Sequence, residues 1–199
     1  MVEANKVRLL SFSDRFVEAR IVENARQFPA TGCVINLSNE PLIIEDSVPQ
    51  VVPAWKSTNF RSGIIAKAER AAIITVPSTT DLGGITFGEG WDWFGNRLAK
   101  FPRNTPLYIS CYDWIGTISA NPFIFSNSDF QREAADHYRV RLNLWWSPAN
   151  TDCFIHNEHP FLEIHTQIHG SGRIQFFRER DEMTLYREIS ALDPWFYQR

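Results

Sequence analysis

Short runs rich in β-branched residues, each closed by glycine, proline, asparagine or serine, limit this chain to an architecture of strands. GCVINL, PLIIED, GIIAKA and AAIITV follow one another between residues 32 and 76. Branched side chains are stiff at χ1 and pack well on a pleated surface, and the turn residues stop each run at strand length. PLYISCYDWIGTI near residue 106 and YRVRLNLWW from Tyr138 resume the pattern. Fifteen Phe, seven Trp and five Tyr suit half-buried sheet faces better than helices. The expected fold is all-β, an antiparallel sandwich or barrel with few short helices.

One stretch reads differently. Val17, Ile21, Ala25 and Phe28 lie near a helical stripe, with Ser13 as N-cap and Pro29 as stop. The same residues, FVEARIV, also alternate well enough for a strand; we favour the helix. Residues 79–98, rich in glycine and aromatics, read as a long connection. Residues 121–136 read as a loop with a helical turn and as the best place for a boundary. Residues 1–130 then form a β-rich N-terminal region and residues 131–199 a second set of strands, with one continuous domain as the alternative. No fixed-period repeat and no low-complexity tract is visible.

A formal net charge of -3 argues against nucleic acid as a partner, because phosphate binding needs a concentrated basic face. The longest basic cluster, Arg173, Arg178 and Arg180, is interleaved with Glu179, Asp181 and Glu182, which is a solvated mixed face. No segment has the length and apolarity of a membrane span or a signal core, so a membrane is not an expected partner. Cys33, Cys111 and Cys153 are few, scattered and odd in number, which points to free thiols in a reducing, cytoplasmic setting. The sequon Asn36-Leu37-Ser38 is then read as carrying no glycan.

Chemistry concentrates at the C-terminal side. Four of the five histidines, His156, His159, His165 and His169, fall within fourteen residues. If FLEIHTQIH is a strand, Glu163, His165, Gln167 and His169 share one face, and Leu162, Ile164, Thr166 and Ile168 the other. An ordinary solvent face more often carries lysine, glutamate, threonine and serine, whereas this one carries imidazole, carboxylate and amide. Those ligand types suit a divalent ion, Fe, Mn, Ni or Zn. The bland alternative is a hydrogen-bonded network of structural histidines.

The run from His156 to Gly172 resembles the first conserved motif of the cupin superfamily: two histidines, a glutamate three or four residues later, then six residues to a glycine turn. His159 and Glu163 are separated by three residues, and Glu163 and Gly170 by six. The resemblance implies a cupin-like jelly roll over the C-terminal part and His156, His159 and Glu163 as metal ligands; the set would be completed by His165 or His169, or by water or a partner. It implies His165 and Gln167 as groups that orient substrate. His156 and His159 are two residues apart where the family has one, so both can coordinate only across a bulge. The family's second motif is absent: Pro194 is followed by Trp195 and Phe196, with no further histidine.

Two other features bear on function. Trp91-Asp92-Trp93-Phe94 between Gly90 and Gly95 reads either as a platform for sugar rings or lipid headgroups or as a loop packed on its own domain. The N-terminal strands resemble, in style, small β-sandwich proteins such as aegerolysins. Trp145-Trp146 must face both sides of a strand, one ring in the core and the other against the histidines. The expectation is therefore a metal-binding cupin-type protein acting on a small polar molecule, with homo-oligomer formation. The alternatives are a sugar- or lipid-binding module and a structural subunit completed by a partner chain.

Overall fold

The computed structural model describes residues 3–79, 81–121, 136–155 and 161–191. The all-β expectation holds: twelve antiparallel strands occur among these residues, with 3-10 turns at Leu82–Phe87, Phe94–Asn96 and Glu182–Thr184 and no α-helix. The proposed boundary segment lies almost wholly outside the described residues.

Two strands of nineteen residues dominate: β2 (Glu18–Asn36) and β5 (Ser57–Thr75). The helix expected over residues 13–28 is not formed, and most of that stretch belongs to β2. A straight strand of this length would span about 63 Å, whereas a compact chain of this size has a radius of gyration of about 16 Å. The ribbon must therefore bend. Asn24 (φ 52), Gln27 (φ 47) and Gly32 (φ 91) supply left-handed backbone along β2.

The bend brings one end of the ribbon back onto the other. Glu18 to Ala30 pair with Thr75 to Gly63, and after a one-residue slip Gly32 faces Phe60. Residues 33–35 then have a partner on either side: Cys33 lies between Asn59 and Ile74, Val34 between Thr58 and Ile73, and Ile35 between Ser57 and Ala72. Four plies result, 19–21, 72–74, 33–35 and 57–59, from only two strands. Residues of one parity, Ala19, Ile21, Cys33, Ile35, Ala72 and Ile74, enter one core cluster, and Val22, Val34, Ala71 and Ile73 enter a second. Both faces of these plies are thus buried.

The second cluster is closed by Ala25, Ala30, Ile65 and Ala68 from the ribbon's far part, with Leu42 of β3 (Leu42–Glu45) and Val52 of β4 (Gln50–Val52). Strand β3 pairs with β5, and β4 with β3. Asn36 fixes the end of β2. It is fully buried, its Nδ2 donates to the carbonyls of Glu40 (2.8 Å) and Val52 (3.1 Å), and its Oδ1 accepts from the Ser38 amide and hydroxyl. The sequon is therefore interior.

The first cluster is closed by Leu10, Phe12, Phe16 and Val17, which precede β2, and by Trp55, Ile85, Ile115 and Leu144. Ile115 sits on β8 (Asp113–Ala120), which pairs with β9 (Asp136–Leu142). A three-stranded sheet of β6 (Trp91–Trp93), β7 (Tyr108–Ser110) and β10 (Trp145–Trp146) lies nearby in sequence to these contacts. The short edge strand β1 (Lys6–Leu9) pairs with β2, and its Arg8 donates to the carboxylate of buried Asp113 at 2.8 Å, where the Ser11 amide also donates at 2.7 Å. The final hairpin pairs β11 (Gly172–Phe177) with β12 (Leu185–Ala191), both within the C-terminal set of strands expected from sequence.

Gly32 is the residue on which the fold-back closes. A Cβ there would lie 2.5 Å from the Ile74 carbonyl oxygen and 2.8 Å from Thr75 Oγ1, at a φ that L side chains rarely adopt. Gly32→Ala is expected to destabilise the protein by about 3 kcal/mol, read as a lower urea midpoint with unchanged slope. A loss below about 0.5 kcal/mol would show that residues 33–35 do not pair with 72–74.

Candidate functional site

Within the histidine-rich segment, Ile168 packs against the first core cluster. The strand expected over FLEIHTQIH is not formed: residues 162–168 adopt no regular ladder. Its aliphatic face is not buried either, with Leu162 62% and Ile164 51% exposed. Alternation in sequence specifies a buried face only where a neighbouring strand supplies one, and no described strand pairs with this segment.

Within it, the predicted residues take separate roles. Glu163 and His165, two apart, do meet: Glu163 Oε2 lies 3.3 Å from His165 Nε2. The imidazole is 59% exposed and the carboxylate 28%, so the pair stands at the surface and, if the ring is protonated, adds little to stability. Gln167 turns away to its own backbone, its Nε2 donating to the His169 carbonyl at 2.6 Å. That contact closes the turn at Gly170, whose φ of 74 matches the expected glycine turn. The His169 ring joins no described cluster with Glu163 and His165, and no group of three His, Cys, Asp or Glu able to hold a metal occurs among the described residues. His156 and His159 lie outside the described residues.

The WDWF segment belongs to a sheet instead of an open connection. Trp91 Nε1 donates to Asp14 Oδ2 at 2.9 Å, and Trp93 Nε1 to the Thr105 carbonyl at 2.9 Å. Trp93 also lies directly over Gly95, where a Cβ would collide with the indole. Phe94 packs between Phe101 (5.0 Å) and Trp145 (4.7 Å). Trp146 faces the core as expected, whereas Trp145 stacks on Phe94. Two surface recesses, one beside Arg15, Phe16 and Asp81 and one beside Arg26, Glu40 and Lys67, contain none of the predicted site residues.

Sequence reasoning overlooked the outer face of β9. Arg139 lies 4.4 Å over the Trp114 ring, and Arg141 lies 4.2 Å from the ring of Tyr112 and 5.0 Å from that of Phe161. The signal was available: Tyr138-Arg139-Val140-Arg141-Leu142 alternates, and alternation on a strand that covers a core puts both guanidinium groups outside. Comparison with family models, with curated proteins and with solved structures yields no match.

Cys153 belongs to an exposed stretch, yet desolvation of its thiol, and secondarily the Asp152 carboxylate, hold its pKa above the ordinary thiol range. The thiolate is thus scarce at neutral pH. The pH profile of Cys153 alkylation, read by peptide mapping, is expected to rise above the ordinary thiol range, and Asp152→Asn to lower it only in part. A profile centred at or below that range would contradict this.

Proposed function

We propose that the chain is a metal-binding cupin-type protein that acts on a small polar molecule, with His156, His159 and Glu163 as ligands. The observation that carries the reading is the contact between Glu163 and His165, a carboxylate and an imidazole brought together at an accessible surface. Of the three named ligands the described residues supply Glu163 alone, and a protein site usually provides three. The reading therefore requires His156 and His159 to join it, with His165 beside the site. A bound divalent ion would supply a Lewis acid. His165 Nε2 faces Glu163, and the ring makes no other hydrogen bond among the described residues, so Nδ1 is left to take or give a proton. Gln167, tied to the His169 carbonyl, holds the turn.

Elemental analysis of the purified, untagged protein tests this. About one equivalent of Fe, Mn, Ni or Zn per chain is expected, with affinity reduced at least roughly 10- to 100-fold in Glu163→Ala. Less than about a tenth of an equivalent, with no uptake on adding metal, rejects the reading.

A second reading, a subunit completed by a partner chain, is favoured by the β11–β12 hairpin. Ile174 and Ile189 face each other on one side beside Phe176, while Arg173, Gln175 and Glu188 occupy the other. Leu185, Tyr186 and Met183 are exposed near its tip. An isolated two-stranded hairpin is marginally stable in water. Sedimentation velocity is expected to show concentration-dependent association that Ile174→Glu abolishes; a monomer at all concentrations would exclude self-association through this face.

A further inference from the structure

The outer face of β9 holds two arginines, Arg139 and Arg141, two residues apart, each lying against an aromatic ring and without a carboxylate partner among the described residues. Elsewhere, Arg8 meets Asp113 at 2.8 Å, Arg70 meets Glu23 at 3.5 Å, Arg97 meets Asp92 at 3.7 Å and Arg173 meets Glu188 at 3.7 Å. Among the described residues neither Arg139 nor Arg141 has a carboxylate within 4.0 Å. Their strand neighbours do not supply one. His137 shares their face, Asp136 has the opposite parity, and the partners across the ladder are Ser119, Thr117 and Trp114. The inner face, with Ile118, Val140 and Leu142, is committed to the core.

We propose that Arg139 and Arg141 form a binding site for a small organic molecule carrying two oxyanion groups, carboxylate or phosphate, with Trp114 and Phe161 as its apolar walls. The guanidinium groups are presented for this. Arg139 is stacked on Trp114, and Arg141 lies between Tyr112 and Phe161. Stacking covers the flat face of a guanidinium and leaves its edge, with the forked N–H donors, for planar oxyanions. It also limits side-chain freedom before the ligand arrives, which lowers the entropy lost on binding.

Spacing selects the ligand class. Alternate residues of a strand stand about 6.7 Å apart, and the two guanidinium groups lie against different rings, Arg139 on Trp114 and Arg141 on Tyr112 and Phe161, an arrangement that offers each of two anionic groups on a short chain its own partner. The rings add a second requirement. Trp114 is 52% and Phe161 45% exposed, so each retains surface that an apolar portion between or beside the anions would cover. Arg97, on Tyr112 at 5.0 Å, has Asp92 as its partner and is not part of the site. Both arginines lie outside the histidine segment, which contributes only Phe161.

Isothermal titration calorimetry of the full chain with pyrophosphate and, separately, succinate tests the site. Saturable one-to-one binding of at least one probe is expected. Arg139→Gln and Arg141→Gln should each weaken it roughly 10- to 100-fold, and the double variant should abolish it. Arg141→Lys should also bind weakly, because an ammonium cannot make the forked contact, while Arg103→Gln on another exposed stretch should bind as the parent does. A preference between the probes identifies phosphate or carboxylate as the natural group. Absence of binding for both probes, or binding that survives in the double variant with an unchanged circular-dichroism spectrum, overturns the proposal.

Discussion

The structure depends on a constraint of length: two paired nineteen-residue strands cannot run straight in a chain of this size. The ribbon turns back, and residues 33–35 are caught between two stretches of the same partner strand. Every backbone group in that ply has a neighbour on each side, so the interior has no open edge there. Burial on both faces follows, because each parity meets its own set of apolar side chains. One set comes from the ribbon's far part with β3 and β4, the other from the segment before β2 and from β8. Small residues, Ala19, Ala25, Ala68, Ala71 and Ala72, line much of the ribbon, which lets backbone layers approach closely.

The same constraint explains which parts of the fold were legible in the sequence. The runs from residue 32 to 76 are short, β-branched and closed by turn residues, and they became parts of β2, β3 and β5. The stretch from Val17 to Phe28 misled because the left-handed residues Asn24 and Gln27 reset the two-residue period. Val17, Ile21 and Ala25 are all buried, as a helix would have them, but Ala19 and Val22 are buried too. A bent strand covered on both faces therefore imitates a helical stripe. The WDWF segment was opaque for another reason. Its tryptophans are placed by distant partners, Asp14 and Thr105, that no local pattern announces.

At the candidate site, the residue types were legible and the geometry was not. Spacing of two brought Glu163 to His165, as a local extended backbone requires. The rest of the expected face depended on a neighbouring strand that the described residues do not provide, so Gln167 and His169 went to a turn. The arginines of β9 show the reverse case. Their direction followed from the alternation around Val140, but the absence of carboxylate partners is a property of the assembled sheet. Overall net charge hides such local imbalance, since Arg8, Arg70, Arg97 and Arg173 each meet a carboxylate and these two do not.

The fold-back at Gly32 also has a kinetic side. Pairing of Ile35 with Ser57 closes the ribbon at its inner end, and pairing of Glu18 with Thr75 closes it at the outer end. A ribbon zipped between those points presents the free edge of 72–74 to which 33–35 can add. A two-ply ribbon would be the simplest precursor of the four-ply state, and pairings between residues this distant go with slow folding. Until the second step is complete, the apolar residues around Ile73 and Val34 are uncovered together with an unpaired edge, the combination that invites pairing between chains. Synthesis conditions that slow this step would be felt as aggregation of new chains, while the finished molecule conceals the edge responsible.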